Sequence, residues 1–239
     1  MKKSLESSNE VVELLSEDNS SKFRLNTPSN SKAINAEIII CCALDRKILY
    51  NNLEGMKLLV AENRRPIPPK IIFISSFSSN RRALSNYGKS KFETETYLKK
   101  VPNSVIIRCG LVVSTPRQGF ALKLKKLANF PLALITPLNI NLYITPIDSL
   151  VKLIELIVKG EYTDTNKLIC AQKNPQSLRN YLAGERTRMK LVEIKIPLTR
   201  KSRVIPFLSL LPSRPRIFDS IKSVFQTNEF QDFKWVDDF

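Results

Sequence analysis

The chain of 239 residues contains no histidine. This removes Ser-His-Asp and Cys-His nucleophilic arrangements and any imidazole general base. Acid–base chemistry falls instead to Tyr, Lys, Asp, Glu or Cys. Glycine is scarce too: the six are Gly55, Gly88, Gly110, Gly119, Gly160 and Gly184, with none ahead of Gly55. The four cysteines, Cys41, Cys42, Cys109 and Cys170, show no C-x-x-C spacing. Cys41 and Cys42 adjoin on a strand-like run, where neighbours point to opposite faces. Without His or clustered thiols no metal site is expected, and the cysteines read as small buried hydrophobes. No apolar run reaches the roughly 20 residues that span a bilayer. The longest candidate, "FPLALITPLNINLYITP", is broken by Asn, Thr and Pro. The start "MKKSLESSNEVVELL" has two lysines but no apolar core of a secretion signal, so the expected location is cytoplasmic.

Acidic residues are also few, 22 against 38 Lys and Arg, which leaves a net charge of +16. Such an excess suits nucleic acid, an anionic membrane face or an anionic substrate. The lysines are spread along the chain and accompany abundant Asn and Ile, a pattern of biased base composition rather than a basic face. No helix-turn-helix, zinc finger or aromatic-plus-basic signature is visible, so neither membrane nor nucleic acid is expected as a partner.

What remains has the ordinary hydrophobic content of a globular protein, 43%. Strand-like and helix-like segments alternate. "EVVELLS" (residues 10–16), "EIIICCA", "KIIFISS", "SVIIRCGLVV" and "NKLICAQ" read as strands, the last of them closing the series. Between them "LYNNLEGMKLLVAEN", "SNYGKSKFETETYLKKV", capped by its early Asn, and "GFALKLKKLANF" read as helices. "LYITPIDSLVKLIELIVKG" reads as a short strand and then an amphipathic helix with Leu150, Leu153, Ile154 and Ile157 on one stripe. This alternation predicts an α/β fold, a Rossmann-type parallel sheet with helices on both faces. After about residue 176 it fades into proline-punctuated sequence. The expected division is a nucleotide-binding domain over 1–176 and a small C-terminal substrate-side segment over 177–239.

One stretch carries chemistry. In "SNYGKSKFETE" (residues 85–95), Tyr87 and Lys91 stand one helical turn apart. An ammonium beside a phenol favours the phenolate and equips the Tyr to exchange a proton with a carbinol or carbonyl oxygen. Alone, the spacing reads as a surface pair, since a Lys-rich chain with six Tyr offers about one such match by chance. Some ten residues earlier, however, "KIIFISS" ends in Ser75 and Ser76. A parallel strand ending there delivers hydroxyls to the carboxyl edge of the sheet, where ligands of open α/β folds bind.

The order "KIIFISS", "YGKSKFETE", "SVIIRCGLVV" resembles the extended short-chain dehydrogenase/reductases, the NAD-dependent sugar-nucleotide epimerases and dehydratases. In that family a strand ends in Ser-Ser or Ser-Thr, a helix carries Tyr-Gly-x-Ser-Lys, and a strand ends in Arg-Pro-Gly-x-x-Tyr-Gly. "EIIICCA" is similar to the family's Asp-Val-Val-Ile-His-Leu-Ala strand, and "NLEGMKLLVAE" to its Asn-Val-x-Gly-Thr-x-Asn-Leu-Leu helix. "YITPIDSLVKLIE" resembles its Val-x-Asp-Val-Ala helix start, and the tail "NEFQDFKWVDDF" its Leu-Gly-Trp ending. By that resemblance Tyr87 transfers the proton, Lys91 lowers its pKa and holds the nicotinamide ribose, and Ser76 orients the reacting oxygen. Asn52 stands at the family's helix Asn, and Ala43 and Cys109 would border the cofactor through backbone atoms. The cofactor implied is NAD, with NADP open; the substrate implied is a nucleotide sugar, with 4-epimerase-like chemistry; a homodimer stays open. Departures surround the reacting centre: Cys41 replaces the family His, Cys109 the Pro, Leu111 the Asn, and Val113-Ser114 the Tyr-Gly.

The family opens with a strand, Gly-x-x-Gly-x-x-Gly and a helix, whose backbone N–H groups cradle the pyrophosphate. With no glycine before Gly55, the first strand and the Gly-rich loop are expected to be missing, the chain starting within the first helix. Dinucleotide binding by the chain as written is then weak or absent. Glu17 and Asp18 read as partners of an adenine ribose hydroxyl or as a solvated acidic turn. Arg200, Arg203, Arg214 and Arg216 read as a pyrophosphate clamp or as a solvated basic loop. Two other classes stay open: a non-catalytic binding or scaffold protein on the same fold, and a basic nucleic-acid-binding protein.

Overall fold

The computed structural model describes residues 37–41, 51–61, 63, 65–83, 85–129, 141–162, 167–185 and 232–236. In chain order these form β1 (Ile38–Cys41), α1 (Asn51–Ala61), β2 (Lys70–Ser76), α2 (Asn86–Leu98), β3 (Ser104–Cys109), β4 (Leu111–Val113), α3 (Gly119–Ala128), β5 (Asn141–Leu142), β6 (Ile144–Pro146), α4 (Ile147–Val158), β7 (Lys167–Cys170), β8 (Gln176–Ser177), α5 (Leu178–Gly184) and β9 (Lys234–Trp235).

Five strands build the main sheet in the order β1-β2-β3-β7-β9, and every pairing is parallel. A parallel sheet is covered on both faces, so its strands are apolar nearly throughout. All six residues of β3 and five of the seven in β2 are buried. Strand alternation sorts these side chains into two layers. Ile72, Ile74, Val105, Ile107, Cys109, Leu168 and Cys170 face α4, whose stripe Leu150, Leu153, Ile154 and Ile157 is buried as its period implies. Ile39, Cys41, Ile71, Phe73 and Ile106 face α1 and α2, meeting Met56, Leu59 and Leu98. Each fully buried Leu, Ile or Phe contributes about 1.5–3 kcal/mol, which makes these two layers the core. A smaller cluster of Leu124, Leu142, Ile144, Leu178, Tyr181 and Leu182 joins α3 and α5 to the strand pairs β4-β6 and β5-β8. Among the described residues no helix is long and apolar enough to cross a membrane.

The α/β, Rossmann-type reading agrees with this sheet, and three details differ. Ser85, not Asn86, caps α2: its backbone is extended and its hydroxyl accepts the Gly88 N–H at 3.0 Å, as a cap's third-residue bond requires. "SVIIRCGLVV" is two strands, because the chain turns at Gly110 against Tyr143; a Cβ at Gly110 would lie 2.0 Å from the Tyr143 carbonyl oxygen. Beyond it β4 leaves the main sheet and pairs with β6. The series of strands also does not close at Cys170, since β9 from the tail pairs with β7 through Leu168–Lys234 and Ile169–Trp235. A two-residue strand is too short for sequence periodicity to reveal.

Candidate functional site

The carboxyl ends of β2, β3 and β7 form one row. Ser76 is in register with Cys109, and Cys109 with Cys170. Hydrogen bonds close the row: Phe77 N–H donates to the Cys109 carbonyl at 3.0 Å, the Thr145 hydroxyl donates to the Cys170 carbonyl, and Gly110 N–H donates to the Thr145 hydroxyl oxygen at 2.9 Å. Ser76 Oγ lies 3.0 Å from Ser78 Oγ and accepts the Ser78 N–H at 3.2 Å, so the hydroxyl is held by the turn that follows its strand.

The N-terminus of α2 docks on that same turn. Gly88 permits it: a Cβ there would stand 2.2 Å from the Ser78 carbonyl oxygen and 2.9 Å from Ala83 Cβ. Tyr87, one residue before Gly88 and half-buried, is thereby set at the carboxyl edge beside the Ser76–Ser78 turn. Lys91 lies one turn deeper and is only 2% exposed. Its Nζ donates to the Ile74 carbonyl at 2.7 Å. The ammonium also sits 4.5 Å from the Phe73 ring centroid and 5.9 Å from that of Tyr87, both within cation–π reach.

The buried face of α2 is mostly polar: Gly88, Ser90, Lys91, Thr94, Glu95 and Leu98. Polar groups taken from water must find partners: Thr94 donates back to the Ser90 carbonyl within the helix, while Lys91 and Glu95 bind the helix to the sheet. Glu95, one turn beyond Lys91 and fully buried, receives a forked bond from Arg108 on β3: Nε to Oε1 at 3.0 Å and Nη2 to Oε2 at 2.8 Å. Ser75 Oγ donates to Glu95 Oε1 at 2.5 Å. The outer face of the Arg108 guanidinium is covered by Phe233 from the tail, 4.0 Å to the ring centroid. Tyr87, Lys91 and Glu95 thus form a column at four-residue spacing, fastened at its base to β2 and β3.

Aromatic rings gather at the same edge. Phe77 lies 5.0 Å from Tyr143 and 6.2 Å from Trp235, both edge-on, and Tyr143 lies 5.8 Å from Trp235. Neither this cluster nor Glu95 and Arg108 was singled out from sequence. For Glu95 the signal was present in the third step of the Tyr87–Lys91 spacing, and in a helix lacking an apolar stripe. For the aromatics, contributed by three distant segments, no local signal exists.

Of the residues selected from sequence, Tyr87, Lys91, Ser76 and Cys109 come together around the β2 and β3 ends. Asn52 falls in the first turn of α1, and its side chain lies outside the description. Ala43, Cys42, Glu17, Asp18 and Arg200, Arg203, Arg214 and Arg216 lie outside the described residues, as does the strand expected over 10–16.

No protein-family profile and no curated protein matches the chain. Solved structures do. A nucleoside-diphosphate-sugar epimerase from Staphylococcus aureus superposes with a TM-score of 0.61 at 9% identity, covering 90% of this chain and 80% of that one. RMD from Pseudomonas aeruginosa, solved with NADPH, gives 0.57 at 14% identity over 80% and 82% of the two chains. The dTDP-4-dehydrorhamnose reductase of Bacillus anthracis, solved with NADP, gives 0.51 at 12% over 71% and 74%. The chain therefore has the Rossmann-type α/β fold seen in these structures.

Proposed function

We propose that the carboxyl edge of β2 and β3 is a hydride-transfer site acting on a nucleotide sugar, with Tyr87 as its acid–base residue. What supports this reading is the close approach of Gly88, the residue after Tyr87, to the Ser78 carbonyl, together with a buried lysine whose Nζ is 5.9 Å from the Tyr87 ring. Tyr87 takes or returns the proton of the sugar hydroxyl, Ser76 holds the same oxygen, and Lys91 keeps positive charge beneath the phenol. A bound NAD or NADP would supply the hydride acceptor. The residues present suit the nicotinamide end of such a cofactor. A 4-epimerase-like reaction is the member of the class proposed, in a cytoplasmic setting, with residues 177–239 on the substrate side.

A second reading rests on Lys91. Its Nζ is committed to the Ile74 carbonyl, an arrangement that equally serves a non-catalytic binding or scaffold protein on the same fold. Two measurements separate the readings: NADH fluorescence titration, and nucleotide-sugar turnover followed at the nicotinamide absorbance. The enzyme reading expects turnover that Tyr87→Phe lowers by about 10²–10⁴-fold with the urea midpoint unchanged. Turnover insensitive to Tyr87→Phe sinks the assignment. An inert chain, with NADH unbound at millimolar concentration, selects the scaffold reading.

A further inference from the structure

Cys109 and Cys170 are direct register partners at the ends of the adjacent parallel strands β3 and β7. Neither forms a disulfide, each residue is 2% exposed, and both belong to the layer facing α4. Register partners on parallel strands put their side chains on one face, with strands about 4.8 Å apart. Cα separations of about 4.4–6.8 Å accept a disulfide, and closing one draws the two Cβ atoms from about the strand spacing to about 3.5–4.5 Å. Cys41 is no competitor: it sits on β1, two strands from β3, in the opposite layer.

We propose that Cys109 and Cys170 are a dithiol site that a small disulfide oxidant of the glutathione class closes into one intramolecular disulfide. A hydrogen bond from Cys109 lowers the Cys170 pKa, outweighing burial, which raises it. The Cys170 thiolate attacks one sulfur of the oxidant and releases one small thiol. Cys109, deprotonated, then displaces the second. Two S–H bonds are lost, one S–S bond forms, and the oxidant leaves as two thiols. Because both groups are buried, the reaction proceeds through opening of the strand ends and is slower than at an exposed thiol. The link would fall on the strand ends whose carbonyls hold Phe77 and Thr145, and it does not depend on the hydride-transfer reading.

The test is to incubate the full chain with oxidised glutathione in native buffer, quench with acid, alkylate under denaturing conditions and map peptides by mass. The Cys109 and Cys170 peptides should appear joined, two hydrogens lighter than their reduced sum, and should separate on reduction. Cys109→Ser and Cys170→Ser should each abolish the link and leave a glutathione adduct on the remaining thiol. Recovery of both cysteines fully alkylated overturns the proposal, as does a link confined to Cys41 and Cys42. A 109–170 link as frequent in denaturing urea as in buffer also overturns it, because the preference would not come from strand register.

Discussion

Gly88 is a glycine of the candidate site at which one added methyl group meets backbone. A Cβ there meets the Ser78 backbone oxygen at 2.2 Å, and backbone cannot swing aside as a side-chain tip can. Gly88→Ala should lower stability by about 1–3 kcal/mol, the usual range for overpacking, read as a lower urea midpoint. It should also displace Tyr87 from the Ser76 turn. Tyr181 offers a pH-dependent counterpart. It is 5% exposed, and burial first, then the Glu185 carboxylate, push its phenol up. A folded-state pKa raised above the unfolded value means the folded chain holds that proton more tightly. The stabilisation is full below the unfolded value, about 10, and is lost as pH rises from there through the folded value. Wild-type urea midpoints should therefore fall more steeply above about pH 10 than those of Tyr181→Phe; parallel curves would refute this.

At the scale of elements, α2 shows how a helix can be held by polar bonds where its sequence offers little apolar surface. Its anchor is Glu95, shared between Ser75 and Arg108. Breaking one side of a buried ion pair strands a charge and costs about 3–5 kcal/mol, while replacing both partners with apolar groups costs far less. Glu95→Leu and Arg108→Met should each destabilise strongly, and the two together should be milder than either. A double-mutant cycle in urea measures that coupling; simple additivity would show that the fork does not bind α2 to β3. The helix itself is legible from the early Asn86 as a cap candidate and from its four-residue spacing, and α4 from its apolar stripe. The cap is Ser85 rather than the expected Asn86, because Ser, Asn and Asp compete for the same role and only backbone conformation decides among them.

At the scale of the molecule, β9 ties the tail to the far edge of the sheet, covering Arg108 with Phe233 and completing the aromatic cluster with Trp235. Trp235 is the only tryptophan, so its emission reports this docking alone. Its spectrum should shift to the red together with loss of far-ultraviolet circular dichroism on unfolding. In Phe233→Ala the shift should come at lower urea than the loss of helix. A chain ending at Gln231 should unfold at lower urea than the full chain, and equal midpoints would show that β9 adds nothing.

Sequence alone determined the alternation of apolar runs and helix periods, hence the parallel α/β sheet, because those patterns are local and repeat. It also marked Tyr87, Lys91 and Ser76, whose spacing lies within one helix and one strand end. Only the tertiary structure decided what surrounds them. The Glu95–Arg108 fork, the Cys109–Cys170 pair and the Phe77–Tyr143–Trp235 cluster join residues far apart in the chain. Their proximity comes from strand order and register, which no local pattern encodes.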